Sequence, residues 1–191
     1  MELLVKMDIV YEDKDKIILN KPAGQLSQSG KSFEMDLVSE VLTYRKSKGE
    51  EAYAAIINRL DRPVSGLVLM AKNKKEAARL SLLMQKETLC KHYQVLVCGK
   101  PESDEGELVD NLIKDAKNNE SSVVPKGTEG SKEARLKYRL LSYDEEADIS
   151  RLDIHLITGR HHQIRVQLID SCRSLVMESM VEIWQPRQLE G

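Results

Sequence analysis

This chain has neither a surplus of positive charge nor a long apolar run. Its 191 residues carry 29 Lys and Arg against 31 Asp and Glu, a formal net charge of −2. The composition therefore does not announce a nucleic-acid protein as a strongly basic domain would, and any RNA-binding face must be local. No stretch approaches the roughly 20 consecutive apolar residues of a membrane span, so no membrane partner is expected. The opening residues, MELLVKMDIVYEDKDK, lack the basic start and cleavage site of a secretory signal, which predicts a cytoplasmic protein. Cysteine is scarce. Cys90, Cys98 and Cys172 form no C-x-x-C pair, which argues against disulfides and a zinc site and favours buried or idle thiols. Internal repeats and regular strand–helix alternation are also missing, so an α+β chain with a mixed, mostly antiparallel sheet and flanking helices is expected over a doubly wound one. The length suits one compact domain with a real core, and a monomer.

What is present reads as short strands and helices. Residues 8–21, DIVYEDKDKIILNK, predict two strands around a charged turn at Glu12 to Lys16, because β-branched and aromatic residues flank it. From Ser32 to about Lys48 the apolar residues Phe33, Leu37, Val38, Val41 and Leu42 recur at helical spacing, and Gly49 follows as a stop. Apolar runs at 54–57 and 66–71 bracket the polar turn Asn58 to Pro63. Asn73 is placed to cap a second helix, with Glu76 reaching back in a capping box and Leu80, Leu83 and Met84 as the buried stripe. Residues 91–98 alternate as a strand, 115–132 read as a surface loop with a short strand at Val123-Val124, 133–143 and 149–157 form a hairpin, and His161 to Ile169 predict a short helix.

Three segments carry chemistry. In Asn58-Arg59-Leu60-Asp61-Arg62-Pro63-Val64-Ser65-Gly66 a carboxylate lies between two arginines on a turn. Nearby positive charge favours the ionised form, as a nucleophile needs, although a turn Asp that merely caps the next element is the commoner case. In Thr158-Gly159-Arg160-His161-His162-Gln163-Ile164-Arg165 the basic residues Arg160 and His161 stand at a helix start, where backbone amides favour a phosphate. Adjacent histidines on a helix point apart, and no acidic or Cys partner stands at ligand spacing, so no metal is expected. In Lys91 to Gly99 the residues Tyr93, Val95 and Val97 share one strand face. There Tyr93 is either a sheet-face aromatic or a platform for a splayed-out base.

In order and combination, these segments resemble the RluA-type pseudouridine synthases from about Asp8 to Leu168. The matching stretches are N-K-P-A-G at Asn20 to Gly24, R-L-D-R-x-x-S-G-L at Arg59 to Leu67, K-x-Y-x-x-x-V-x-G at Lys91 to Gly99, and T-G-R-x-H-Q-I-R-V at Thr158 to Val166. The resemblance implies the pseudouridine synthase catalytic fold, no cofactor and no metal, and isomerisation of selected uridines in structured RNA, either ribosomal RNA (favoured, of the large subunit) or transfer RNA. By position it implies Asp61 as nucleophile, Tyr93 as the tyrosine that packs on the base, and Arg165 as the basic partner of the aspartate. It further assigns Arg59 to displacing the target base, and Arg62, Arg160 and His162 are expected among the RNA contacts.

Two positions depart from the family pattern. Asn58 stands where His is usual and His161 where Thr is common, and altered RNA contacts are the expected effect. The tail departs further. Residues 1–168 read as the catalytic domain and 169–191 as an atypical tail, and the neighbouring reading frame from Val176 can spell a family-like Gly-Asp-Gly-Lys-Tyr-Gly continuation. A frame slip near Leu175 is therefore expected, leaving the sheet without strands that relatives use. The competing functions are a catalytically impaired RNA-binding module of the same fold and, less well matched, a base-excising hydrolase using Asp61.

Overall fold

A computed structural model describes residues 7–29, 35–86, 89–171 and 181–183. They form two compact units that divide between Leu89 and Cys90, residues 181–183 belonging to the first.

In the first unit β1 (Ile9–Glu12) runs antiparallel to β2 (Lys16–Lys21). Asp13 builds the turn between them. Its carboxylate accepts from the backbone N–H of Asp15 at 2.8 Å and of Lys16 at 2.7 Å, and pairs with Lys16 Nζ at 2.9 Å, as turn aspartates do. Helix α1 (Leu37–Ser47) starts later than the sequence suggests, because Asp36 caps it by accepting from Ser39 N–H at 2.7 Å. Residues 30–34 lie outside the described set. Gly49, at φ 73°, ends the helix where its spacing predicts. Then come β3 (Ala55–Ile56), β4 (Ser65–Ala71) and α2 (Lys74–Gln85), with β4 antiparallel to both β2 and β3. Asn73 caps α2 as expected, accepting from Glu76 N–H at 2.9 Å. Glu76 does not complete the box, since its carboxylate takes two hydrogen bonds from Arg79, each 2.8 Å. Ile18, Leu69, Ala71, Leu80 and Leu89 form the core, with Leu83 and Met84 packed against it. Each of the large buried aliphatics Ile18, Leu69, Leu80 and Leu89 contributes about 1.5–3 kcal/mol.

The second unit is an antiparallel sheet of β5 (Lys91–Cys98), β6 (Glu105–Asp115), β7 (Glu120–Val124), β8 (Lys132–Asp144) and β9 (Ile149–Leu156), in the order β5-β9-β8-β6-β7, with helix α3 (Gln163–Ser171). Strand alternation puts Tyr93, Val95, Val97, Leu152, Ile154, Leu156, Ala134 and Leu136 inside, as are Ile164 and Leu168 of α3. The hairpin predicted around residues 144–148 is β8–β9. The predicted loop at 115–132 is corrected in its first part: β6 runs to Asp115 and pairs with β7, around a turn whose Asn119 is left-handed at φ 55°. Polar side chains on both faces of this extension hid its period. Gly106 of β6 faces Tyr138 of β8, and a Cβ on that glycine would come within 2.7 Å of the tyrosine ring.

The tail contributes to the first unit. Val181–Ile183 forms β10, parallel to β4 with Val181 opposite Ser65. Residues 172–180 and 184–191 lie outside the described set, and with them Leu175, near which the frame slip is expected.

Candidate active site and nucleic-acid interface

In the first unit, the loop between β3 and β4 carries Arg59, Asp61 and Arg62, all exposed, above the buried Leu60 and Val64. Local chemistry fixes this shape. Ile57 N–H donates to Leu69 O at 2.9 Å, and the Asn58 side chain then takes the next rung, donating to Leu67 O at 3.0 Å and accepting from Leu69 N–H at 2.8 Å. An amide side chain thus stands in for a peptide at the end of the ladder. Asn58 is 5% exposed, so the expected effect of this departure on RNA contact is corrected to an effect on the loop. Ser27 Oγ donates to Leu60 O at 2.7 Å and accepts from Leu60 N–H at 3.1 Å, and Val64 N–H closes the turn onto Asp61 O at 3.0 Å.

The N-K-P-A-G turn packs under this loop. Gly24, at φ 88°, donates its N–H to Arg62 O at 2.7 Å, and Arg62 Nε donates back to Gly24 O at 3.0 Å. A left-handed backbone at that point favours glycine. Lys21 is fully buried and donates to Pro22 O at 3.0 Å, Gln25 O at 2.8 Å and Arg62 O at 3.3 Å. Burial pulls its pKa down to about 8, against the opposing attraction of the Asp61 carboxylate. Lys21 was missing from the site residues expected from sequence. The signal that could have found it is a charge that follows the apolar run Ile17-Ile18-Leu19 by two residues and stands directly before a proline, inside the N-K-P-A-G stretch.

The remaining expected residues belong to the second unit. Tyr93 is 7% exposed on the inner face of β5. Arg160 is exposed and donates through Nε to Glu133 O at 2.8 Å. His161 and His162 precede α3 and do not lie on it, and their rings stack with centroids 3.8 Å apart. The expectation that neighbouring histidines diverge is therefore corrected, because it applies only within a helix. His161 Nδ1 shares a 2.9 Å hydrogen bond with Ser121 Oγ of β7, while His162 is left-handed at φ 51°. Arg165, half-buried, sits in the first turn of α3. Among the described residues no three His, Cys, Asp or Glu side chains are grouped to hold a metal ion, and no helix is long and apolar enough to cross a membrane.

Residues 15–170 match the family pattern described as RNA pseudouridylate synthase. A ribosomal large subunit pseudouridine synthase C from Rickettsia bellii is 32% identical over 158 residues, 83% of this chain and 51% of the relative. A ribosomal large subunit pseudouridine synthase D from Buchnera aphidicola is likewise 32% identical, over 85% of this chain and 51% of the relative. The chain thus spans about half the length of these curated relatives. Among solved structures, human RNA pseudouridylate synthase domain containing 4 superimposes with a TM-score of 0.72 at 18% identity, covering 88% of this chain and 66% of that one. Human RNA pseudouridylate synthase domain containing 1 gives 0.67 at 20%, covering 86% and 64%. These two likenesses establish the fold.

Proposed function

The chain belongs to the RNA pseudouridylate synthase family, and from that premise we propose that it converts uridine to pseudouridine in structured RNA, with Asp61 as the nucleophile. The observation that carries the reading is the Asp61 loop, an exposed carboxylate held over buried Leu60 and Val64 by Ser27 and Asn58, with the buried Lys21 cation beneath. The reaction breaks the N1–C1′ bond of uridine and forms a C5–C1′ bond. The C5 proton leaves and N1 gains one, so atoms and electrons balance without a redox partner. A carboxylate serves by attacking the sugar or the base, or by assisting elimination, while the detached ring turns in place.

In this reading Arg59 displaces the target base from its stack, at a cost of a few kcal/mol that binding must offset. Tyr93 packs on the base, Arg165 pairs with the aspartate, and Arg62, Arg160 and His162 meet the RNA. Large-subunit ribosomal RNA is the proposed substrate, supported by the names of the Rickettsia and Buchnera relatives.

Incubation with ribosomal RNA tritiated at uridine C5 tests the proposal. Tritium release with the base kept in the chain is expected, whereas free uracil would indicate a hydrolase and binding without release a silent RNA-binding module. Asp61→Asn should abolish release and leave RNA binding nearly intact. Turnover within about tenfold of the parent, roughly 1.4 kcal/mol of barrier, would remove Asp61 from the nucleophile's role.

A further inference from the structure

The segment that carries Arg160 and His162 is held from below by side-chain amides whose direction is fixed end to end. Gln167, 1% exposed, donates through Nε2 to Asp110 Oδ2 at 2.7 Å and to Ala134 O at 3.3 Å. Both its hydrogens are thereby used, and its Oε1 accepts from Gln163 Nε2 at 3.0 Å. Gln163, 2% exposed, gives its second hydrogen to Arg135 O at 3.1 Å. Its Oε1 then accepts from Thr158 Oγ1 at 2.8 Å and from Arg160 N–H at 2.9 Å. Thr158 Oγ1 in turn accepts from Arg135 N–H at 2.8 Å. Reversing either amide would set donor against donor or oxygen against oxygen at several contacts, so the Asp110 carboxylate at one end dictates what Gln163 offers at the other.

This chain ends on a strained point. His162 is left-handed without being glycine, a conformation that persists only where neighbours over-determine it. The fixed Gln163 side chain on one side, and the Val166 N–H to His162 O bond of 3.0 Å on the other, supply that constraint. We propose that Gln163 and Gln167 are positioning residues for uridine isomerisation, a relay anchored on Asp110 that fixes the Thr158–Arg165 segment so that Arg160 and Arg165 are each presented to the reaction in one orientation. The proposal rests on the functional reading given above.

Gln163→Leu keeps the volume and cuts the relay. At a temperature where circular dichroism shows the variant folded, kcat for tritium release should fall on the order of tenfold to a hundredfold, the scale of a misplaced group, with KM changed by less than about threefold. Exchange of the Arg160 amide proton should accelerate about tenfold or more, since its acceptor is gone. Should Gln163→Leu fail to fold, two further sets of variants decide the matter. Asp110→Leu should show the same pattern and Asp110→Asn should restore it, because Asn still presents an oxygen to Gln167. Gln163→Glu should lose turnover as pH rises where the parent does not. Its protonated form can still donate to a carbonyl, but its anion confronts the oxygens of Arg135 and Gln167. An unchanged kcat in Gln163→Leu, a loss confined to KM, an Arg160 amide as protected as in the parent, or Asp110→Asn no better than Asp110→Leu would each overturn the relay. Asp61→Asn run alongside separates the two ideas, because full turnover there refutes the site while Arg160 exchange still judges the relay.

Discussion

The buried Lys21 ammonium should leave a measurable trace in the pH dependence of stability. Its pKa falls from the ordinary 10.5 to about 8 because burial disfavours the charge more than the Asp61 carboxylate favours it. Between those two values the unfolded chain keeps a proton that the folded chain has released, so stability rises with pH across the window and is lost as pH falls through about 8. Integrated from pH 7.5 to 9.5, the gain is about 2 kcal/mol, an upper figure because native relaxation softens it. Other groups titrate in the same range. The useful quantity is therefore the difference between the parent and Lys21→Met, which has similar length and no charge. Urea denaturation at half-unit intervals of pH, read as free energies from midpoint and slope, gives that difference. It should grow in favour of the parent by about 2 kcal/mol over the window. A difference that stays flat within about 0.5 kcal/mol would mean that Lys21 keeps its ordinary pKa and that its cation is not held against burial.

Other perturbations reach the remaining parts of the molecule. Arg165→Ala should lower kcat more than RNA affinity, and a loss confined to binding with a shallower salt dependence would assign Arg165 to phosphate contact instead. Burial pushes the Glu12 carboxyl up, but hydrogen bonds from Lys72, Tyr44 and Lys48 outweigh it and hold its pKa below the usual range. Its contribution is thus present above the unfolded carboxyl pKa and lost as pH falls through the folded one. Glu12→Gln should cost about 1–3 kcal/mol at pH 7 and flatten the acid limb of stability, which denaturation at pH 3 to 7 would check. At His162, whose φ is 51°, the Gly variant should be about 1–2 kcal/mol more stable than the Val variant by thermal unfolding, and the opposite order would deny the left-handed backbone.

Legibility followed the kind of physics each element depends on. The β1–β2 turn, the Asn73 cap, β5 and the β8–β9 hairpin were readable because one local rule decides each, whether turn chemistry, a cap or a period of two. The start of α1 was not, since an aspartate cap at Asp36 outweighed an apolar pattern that runs further back. β6 escaped because its apolar residues Leu108, Val109, Leu112 and Ile113 fall on both faces and its last two residues, Lys114 and Asp115, are charged. Among the candidate site residues, the Asp61 loop and the Thr158–Arg165 segment stood out as motifs, but the parts played by Lys21 and Gln163 within their motifs, and by Ser27 and Gln167 outside them, did not. Their part depends on which backbone atoms they meet across 33 residues between Ser27 and Leu60, or 57 between Gln167 and Asp110, and a linear pattern carries no record of such meetings.

The glycine beneath Tyr138 bears on how the second unit finds its fold. A hairpin that slips by one residue turns itself inside out and is rejected by the core, but a slip of two keeps every apolar side chain on its proper face. For strands as long as β6 and β8, of 11 and 13 residues, hydrophobic patterning cannot by itself reject that error. Tyr138 can. In the native register its ring lies where a Cβ on Gly106 would collide, at 2.7 Å, whereas a slip of two would put Leu108 or Asp104 under the ring. The pair works as a notch and pawl, admitting one alignment of the two strands and refusing its nearest neighbours.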